Sequence, residues 1–383
     1  MKQIYMDHNA TTPLDREVLD AMMPYLTEHF GNPSSSTHIF GKIARDAVEE
    51  ARGKVARLIN ARDADIVFTS GATESDNMAI KGVAWARREE GNHIITCKVE
   101  HKAVLDSCKW LEKEGFQVTY LPVDRYAMVD PDDVRKAITD KTVLVSIMHA
   151  NSEVGTIEPI KEIGEITSER GVAFHCDAVQ AVGKIPVDVE NLKVDFLSIS
   201  GHKIYGPKGV GALYIRKRVK MVPLMTGGGQ ERQRRSGTLN VPGIVGLGKA
   251  CETAMRDMEK ESRRLVALRT RLLEGIMNRI DHVYLNGHPE NRIPNNLNLS
   301  FDYVEGEGLI MSLKNVAVSS GSACTSQTLE PSYVLRAMGI PDATAHSSVR
   351  FGLGKSNSEE DVDYVIDLLE KGVRRLRAIS PLV

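Results

Sequence analysis

The chain has 383 residues, 42% hydrophobic and 26% charged, with a net charge of −2. That balance argues against a dedicated nucleic-acid or membrane surface and allows a large core spread over two domains. No apolar run reaches membrane-spanning length and the N-terminus carries no signal-peptide pattern, while five cysteines without a CxxC or a Cys/His cluster point to a reducing cytoplasm, with no disulfide framework and no structural metal.

In chain order, residues 66–68 read as a strand that runs into the small-residue turn Thr69 to Ser75, and a helical pattern follows over 77–85. Further strands are expected at 93–99, 117–121, 143–149, 172–176, 195–199 and 210–215, with helical patterns between several of them, as at 103–113. This alternation predicts an α/β fold with a mostly parallel sheet covered by helices. The charged stretch 252–278 reads as one long amphipathic helix bridging two domains. After it come strands at 298–301 and 316–319, a Ser/Gly/Thr-rich run from Ser319 to Thr328 expected to be a mobile loop, a helix over 329–338, and a final helix over 362–376.

Three features carry chemistry. Lys203 stands just beyond an apolar run that ends at Ser200, in Ser200-Gly-His202-Lys203. A desolvated amine there is easier to deprotonate and suits Schiff-base chemistry with an aldehyde cofactor. Asp177 ends another apolar run and precedes Lys203 by 26 positions. In an open α/β sheet both exits face one crevice outside the carboxyl ends of the strands. Pyridoxal 5'-phosphate needs this pair: a lysine for its aldehyde and a carboxylate for its pyridinium nitrogen. At about 4 Å and an effective dielectric near 20 such a pair attracts by roughly 4 kcal/mol before desolvation. The turn Thr69 to Ser75 is the third feature, a strand-to-helix connection able to cradle a phosphate on backbone N–H groups, with Thr73 adding a hydroxyl. Taken singly, each has a plainer reading: a surface lysine, a helix N-cap at Asp177, an ordinary capping turn. Their combination favours the cofactor site.

With these residues in place the sequence resembles the class V aminotransferases of pyridoxal phosphate fold type I, and more narrowly the cysteine desulfurases of the NifS/IscS-like group. The resemblance runs through Asp7-His-Asn-Ala-Thr-Thr-Pro13, Ser70-Gly-Ala-Thr-Glu74, Glu100-His101-Lys102, His149-Ala-Asn151, Asp177-Ala-Val-Gln180, Ser200-Gly-His-Lys203, Arg235-Ser-Gly-Thr238 and Ser319-Ser-Gly-Ser-Ala-Cys324-Thr-Ser326. It implies a large cofactor domain over 15–257. Residues 1–14 and 258–383 then form a smaller α+β domain carrying the cysteine loop at about 319–329.

By the same resemblance, Lys203 binds the cofactor and then acts as base at the substrate Cα. Asp177 pairs with the pyridine nitrogen and Gln180 faces the phenolic oxygen. His101 stacks on the ring and serves in acid–base steps; its plainer reading is a helix-start histidine. Ala72, Thr73, Ser200 and His202 hold the phosphate, and Thr238 reaches the phosphate of a partner subunit, which implies a homodimer. Asn151 and Arg350 clamp the carboxylate of L-cysteine, where a guanidinium gives a bidentate pair. For Arg350 the plainer reading is a surface ion pair. Cys324 lies outside any apolar pattern and, on the resemblance, becomes a persulfide whose sulfur passes to a NifU/IscU-type iron–sulfur scaffold or another acceptor. Whether Cys324 also contacts a cluster during transfer stays open at this point.

Cys97, Cys108, Cys176 and Cys251 fall in apolar segments and read as core. Lys355 stands where the group commonly has arginine, and the sequence ends at Val383 without the tail some members use for scaffold docking. Selenocysteine lyase chemistry, ordinary aminotransfer and a non-catalytic sulfur-relay scaffold remain as alternatives.

Overall fold

The computed structural model describes residues 2–217, 219–320 and 331–379. The strands are β1 (Ile4–Tyr5), β2 (Ile66–Thr69), β3 (His93–Cys97), β4 (Gln117–Leu121), β5 (Thr142–Ser146), β6 (Ala173–Asp177), β7 (Phe196–Ser200), β8 (Gly211–Ile215), β9 (Val283–Asn286), β10 (Asn296–Phe301), β11 (Val316–Ala317) and β12 (Ser348–Gly352).

Seven of them form one sheet in the order β2-β8-β7-β6-β5-β3-β4. The pairs from β7 to β4 are parallel, and β8 runs antiparallel to both of its neighbours. β2 therefore points the same way as β7, and the carboxyl ends of six strands share one edge. Strands β5 to β8 are buried at every residue. That is why they read as near-continuous apolar runs rather than alternating ones. β4 lies at one margin and is mostly half-exposed.

Two apolar clusters cover the two faces of this sheet. One gathers Phe68, Ile95, Val145, Phe174, Leu197 and Tyr214 with the helices Ile39–Leu58 and Val241–Arg279. The other gathers Val67, Ile94, Leu144, Phe196 and Leu213 with the helices Ala72–Ala86 and Lys102–Lys113. Each such side chain, fully buried, contributes about 1.5–3 kcal/mol relative to exposure. Alternate residues of one strand thus serve opposite clusters, as the two-residue period requires.

The long helix spans 39 residues and starts at Val241, eleven positions before the expected start at 252. Its first turns hold Gly243, Gly246 and Gly248, weak helix formers that hide the helix in the sequence. Packing is the reason for them: a Cβ at Gly248 would sit 2.7 Å from Cα of Ala51, and one at Gly246 2.6 Å from Sδ of Met22. Tertiary contact overrides local propensity there.

A separate three-stranded antiparallel sheet, β12-β10-β9, and a two-stranded parallel ribbon of β1 and β11 share a third apolar cluster with the helix Glu359–Arg377. Of the later expectations, 298–301 lengthens to β10 and 316–319 shrinks to the two residues of β11. The helix expected over 329–338 is the short Tyr333–Ala337 within the described residues. No helix among the described residues is long and apolar enough to cross a membrane.

Candidate active site

A cavity of about 520 Å³ opens at the shared carboxyl edge of the large sheet. Ala72, Thr73, His101, Asp177, Gln180, Ser200, His202, Lys203 and Arg350 all line it. The chain reaches it from several strand exits. β6 delivers Asp177 as its last residue, β7 delivers Ser200 and then the 3-10 turn Gly201–Lys203, β2 leads to Gly71, and β3 leads to His101. This is the crevice that the open α/β rule places outside the strand ends.

Lys203 donates from Nζ to the carbonyl oxygens of Asn9 at 2.5 Å and Ala10 at 2.7 Å. Asp177 is 6% exposed, and one of its oxygens accepts the N–H of Val179 at 3.0 Å. Burial and the neighbouring Asp76 push its carboxyl up to about 6, while His101, the Val179 N–H and His175 draw it down. An added cation on the cavity side would favour the carboxylate.

His101 is both a helix start and a cavity wall. Its Nδ1 accepts the N–H of Ala103 at 3.1 Å and caps the helix Lys102–Lys113, while the ring lines the cavity. Gln180 is held by Asn9 in two bonds: its Oε1 accepts Nδ2 of Asn9 at 3.1 Å, and its Nε2 donates to the Asn9 carbonyl at 3.0 Å.

The turn expected to cradle a phosphate leads into the N-terminus of the 15-residue helix Ala72–Ala86, where the N-cap Gly71 offers no side chain. Gly71 has φ +151°, a backbone that favours glycine. It also lies against β8: a Cβ at Gly211 would meet Cα of Gly71 at 2.7 Å and the Ile199 carbonyl oxygen at 2.5 Å. Ser200 and His202 line the same cavity. Burial first, and then Lys203, Lys208 and Lys184, push the His202 imidazole down to about 4. His202 is therefore neutral near pH 7, and its Nδ1 lies 3.1 Å from Oγ1 of Thr11.

Arg350 is 3% exposed, so it is no surface ion pair. One terminal nitrogen donates to Asp7 at 2.9 Å and the other to the Ser152 carbonyl at 3.0 Å. Its Nε is a buried donor with no partner among the described residues. The Arg350 guanidinium lines the cavity, where a planar cation suits a carboxylate.

The donor set fits pyridoxal phosphate: an amine, a carboxyl ready to meet a pyridinium, an amide, and a glycine turn with hydroxyl and imidazole groups for a phosphate.

Asn151 does not line the cavity. Its Oδ1 accepts the N–H groups of Glu153 at 2.8 Å and Val154 at 3.0 Å, and its Nδ2 donates to the Val99 carbonyl at 3.0 Å. A short polar side chain in a turn takes such local backbone bonds readily. Thr238 is exposed and also outside the cavity. Cys324 lies outside the described residues. Cys97, Cys108, Cys176 and Cys251 are free and buried.

Several lining residues carry no assignment from the sequence. Asn9, Ala10 and Thr11 come from the N-terminal segment, Glu153 from the turn after β5, and Tyr333 from the short helix near the C-terminus. Glu153 is 5% exposed, and burial pushes its carboxyl up to about 7 despite a bond from the Ser332 hydroxyl. An acidic residue two positions past Asn151, just before Val154, is the one local signal that could have flagged it.

The family model described as "Aminotransferase class-V" matches residues 4–365. The chain is similar to "Cysteine desulfurase IscS" of Anaeromyxobacter dehalogenans (strain 2CP-C), 58% identical over 381 residues, which is 99% of this chain and 94% of the relative. Among solved structures it is similar to "NIFS-LIKE PROTEIN", with TM-score 0.91 and 41% identity over 97% of this chain and 100% of the other. It is also similar to "SspA in complex with cysteine", with TM-score 0.83 and 39% identity over 91% and 98% of the two chains.

Proposed function

The chain belongs to the class-V aminotransferases and, within them, to the cysteine desulfurases, and from that premise we propose how its own residues carry out the reaction. It is a pyridoxal-phosphate enzyme that converts L-cysteine to L-alanine and takes up the sulfur. When bound, the cofactor supplies an electron sink for bonds broken at and next to Cα.

Lys203 would hold the cofactor through its amine and, when free, would take the Cα proton of the substrate. Asp177 keeps the pyridine nitrogen protonated, and Gln180 faces the phenolic oxygen. Ala72, Thr73, Ser200 and His202 hold the phosphate. Arg350 takes the substrate carboxylate and so orients Cα and Sγ. His101 moves protons at the ring and the substrate. The Cys324 thiolate attacks Sγ; the S–S bond forms as the Cβ–Sγ bond breaks, the released pair is protonated at Cβ, and a proton returned to Cα leaves alanine. Asn151, with its amide committed to the 151–154 turn, supports the Arg350 site through the backbone of Ser152 rather than by touching the substrate.

The observation that carries this reading is the convergence of Lys203, Asp177 and Arg350 on one cavity. Two domains, 15–257 and 1–14 with 258–383, are proposed on the separate apolar clusters of the large and small sheets. A homodimer with Thr238 crossing the interface, an iron–sulfur scaffold as sulfur acceptor, and a cytoplasmic setting complete the proposal. The exposure of Thr238 supports the first of these, and the four free cysteines support the last.

The test is alanine and sulfide release from L-cysteine with a thiol reductant, for the wild type and Cys324→Ala. Equal amounts of alanine and sulfide, lost in the variant while its visible spectrum is kept, are expected. A variant as active as the wild type removes Cys324 from the reaction.

A further inference from the structure

Lys184 is the most unusual charge near the site. It follows the turn after β6, four residues beyond Gln180. Its Nζ donates to the Gln180 carbonyl at 3.2 Å and to the Gln180 side-chain Oε1 at 3.3 Å. Among the described residues no carboxylate lies within ion-pair distance of it. A half-buried lysine without an acid partner is a costly arrangement. The chain nevertheless fixes it, since the hydroxyl of Ser262 on the long helix donates to the Lys184 carbonyl at 2.6 Å.

The surroundings make its effect one-sided. Lys184 and Lys203 together line a second, smaller cavity of about 50 Å³ behind the first. His8 shares that cavity, 1% exposed, with neither ring nitrogen partnered among the described residues. Burial, and after it Lys184, hold the His8 imidazole down at about 4 despite the nearby Asp7 carboxylate, so it adds no further positive charge beside the ammonium. Burial first and Lys203 second push Lys184 down to about 7. Repulsion between two ammonium groups is mutual, so Lys184 acts on Lys203 in the same sense. The anionic cofactor favours the ammonium of Lys184 once it is bound.

The bonds to Gln180 add direction. With Oε1 occupied by Lys184 and Asn9, the Gln180 amide can present only its remaining Nε2 hydrogen to the cavity. The group opposite must then be an acceptor, as the phenolic oxygen of pyridoxal phosphate is.

We propose that Lys184 is a positioning residue for this site: it locks the Gln180 amide as a donor and sets a second positive charge behind Lys203, which readies the Lys203 nitrogen to release its proton. The inference rests on the desulfurase reading above. A cation beside a lysine nucleophile is an established way to activate it.

The other charged or titratable groups lining the cavity with Lys203 are His202 and Lys208 on its own loop, Asp177 on β6, Glu74, His101, Lys102 and Glu153, and Arg350 on β12. Asp15, Asp257, Glu261 and Lys355 line the smaller cavity. Lys355 pairs with Asp15 at 2.9 Å, so part of that acidic charge is balanced. All of these stay unchanged in a Lys184 variant.

The experiment is a pH titration of the visible absorption of the holoenzyme for wild type, Lys184→Met and Lys184→Arg. It reads the nitrogen that joins Lys203 to the cofactor, not turnover. Removing a nearby cation strengthens proton binding there, so the midpoint in Lys184→Met moves upward by about one pH unit. In Lys184→Arg, which keeps the charge, it stays near the wild-type value. Capture of pyridoxal phosphate by the apo form of Lys184→Met near neutral pH is expected to slow several-fold. Lys184→Gln gives the same reading should the methionine variant not fold. A midpoint and a capture rate unchanged in the neutral variants overturn the proposal. A wild type that binds no cofactor at all overturns the reading beneath it instead.

Discussion

The two halves of the site are built in different ways. The cofactor half sits on the ends of β6, β7 and β2, strands buried at every residue, and its side chains each stand at or just past a strand end. The substrate half is assembled from the chain's two extremes: Arg350 on β12 meets Asp7, 343 positions earlier, and Asp7 is also held by the hydroxyl of Ser319 at 3.0 Å. A rigid sheet edge can place reacting atoms precisely enough for bond chemistry. An ion pair between chain ends can be exchanged for a substrate carboxylate. The difference teaches that chemistry and recognition fail separately when each is disturbed.

The largest effect is expected in the cofactor half. Lys203→Ala should lower kcat/KM for alanine formation by about 10⁴-fold or more, because it removes both the cofactor anchor and the base. Steady-state alanine release and the visible spectrum check this together, and a variant retaining wild-type turnover would break the comparison at once. Next comes the substrate half. Arg350→Lys keeps the charge but loses the planar fork, and should raise KM for L-cysteine by about 10- to 100-fold with a smaller change in kcat. An equal fall in kcat with KM unchanged would mean that Arg350 serves the chemistry rather than the docking.

Gly211→Ala sharpens the claim that the sheet edge is rigid. The new Cβ would meet backbone atoms of Ile199 and Gly71 at 2.5 and 2.7 Å. The cost to stability should be about 1–3 kcal/mol, read by denaturant unfolding, together with weaker cofactor retention. Unaltered stability would show that the edge yields.

The smallest effect concerns Glu158, outside both halves. It is 3% exposed, and burial pushes its carboxyl up to about 8 although one oxygen accepts the Val129 N–H at 2.9 Å. A raised folded-state value means that the native protein keeps a proton the unfolded chain releases. Stability is therefore lost as pH rises from the ordinary carboxyl range to about 8. Glu158→Gln should melt a few degrees above the wild type at about pH 9, and the gap should close at about pH 5. A gap independent of pH would assign the effect to packing instead.

The cofactor half was legible because each of its residues ends or directly follows a local pattern. Asp177, Ser200 and Lys203 stand where apolar runs stop, and the run itself announces the strand. The substrate half was legible only through resemblance, since nothing near Asp7 in sequence tells of Arg350. The N-terminal segment was missed as a lining element for the same reason: it acts through the carbonyls of Asn9 and Ala10, and backbone carbonyls leave no mark on composition. The amide of Asn151 turned inward because a turn offered it backbone partners, a choice set by geometry rather than residue type. The early turns of the long helix were hidden by glycines that only the packing against Ala51 and Met22 explains.

The most direct test of the account is to reduce the holoenzyme with borohydride, digest it, and find which lysine carries the cofactor. Five lysines line the two cavities: Lys102, Lys184, Lys203, Lys208 and Lys355. The account places the label on Lys203 alone. Label on any of the other four, or spread among them, would contradict it.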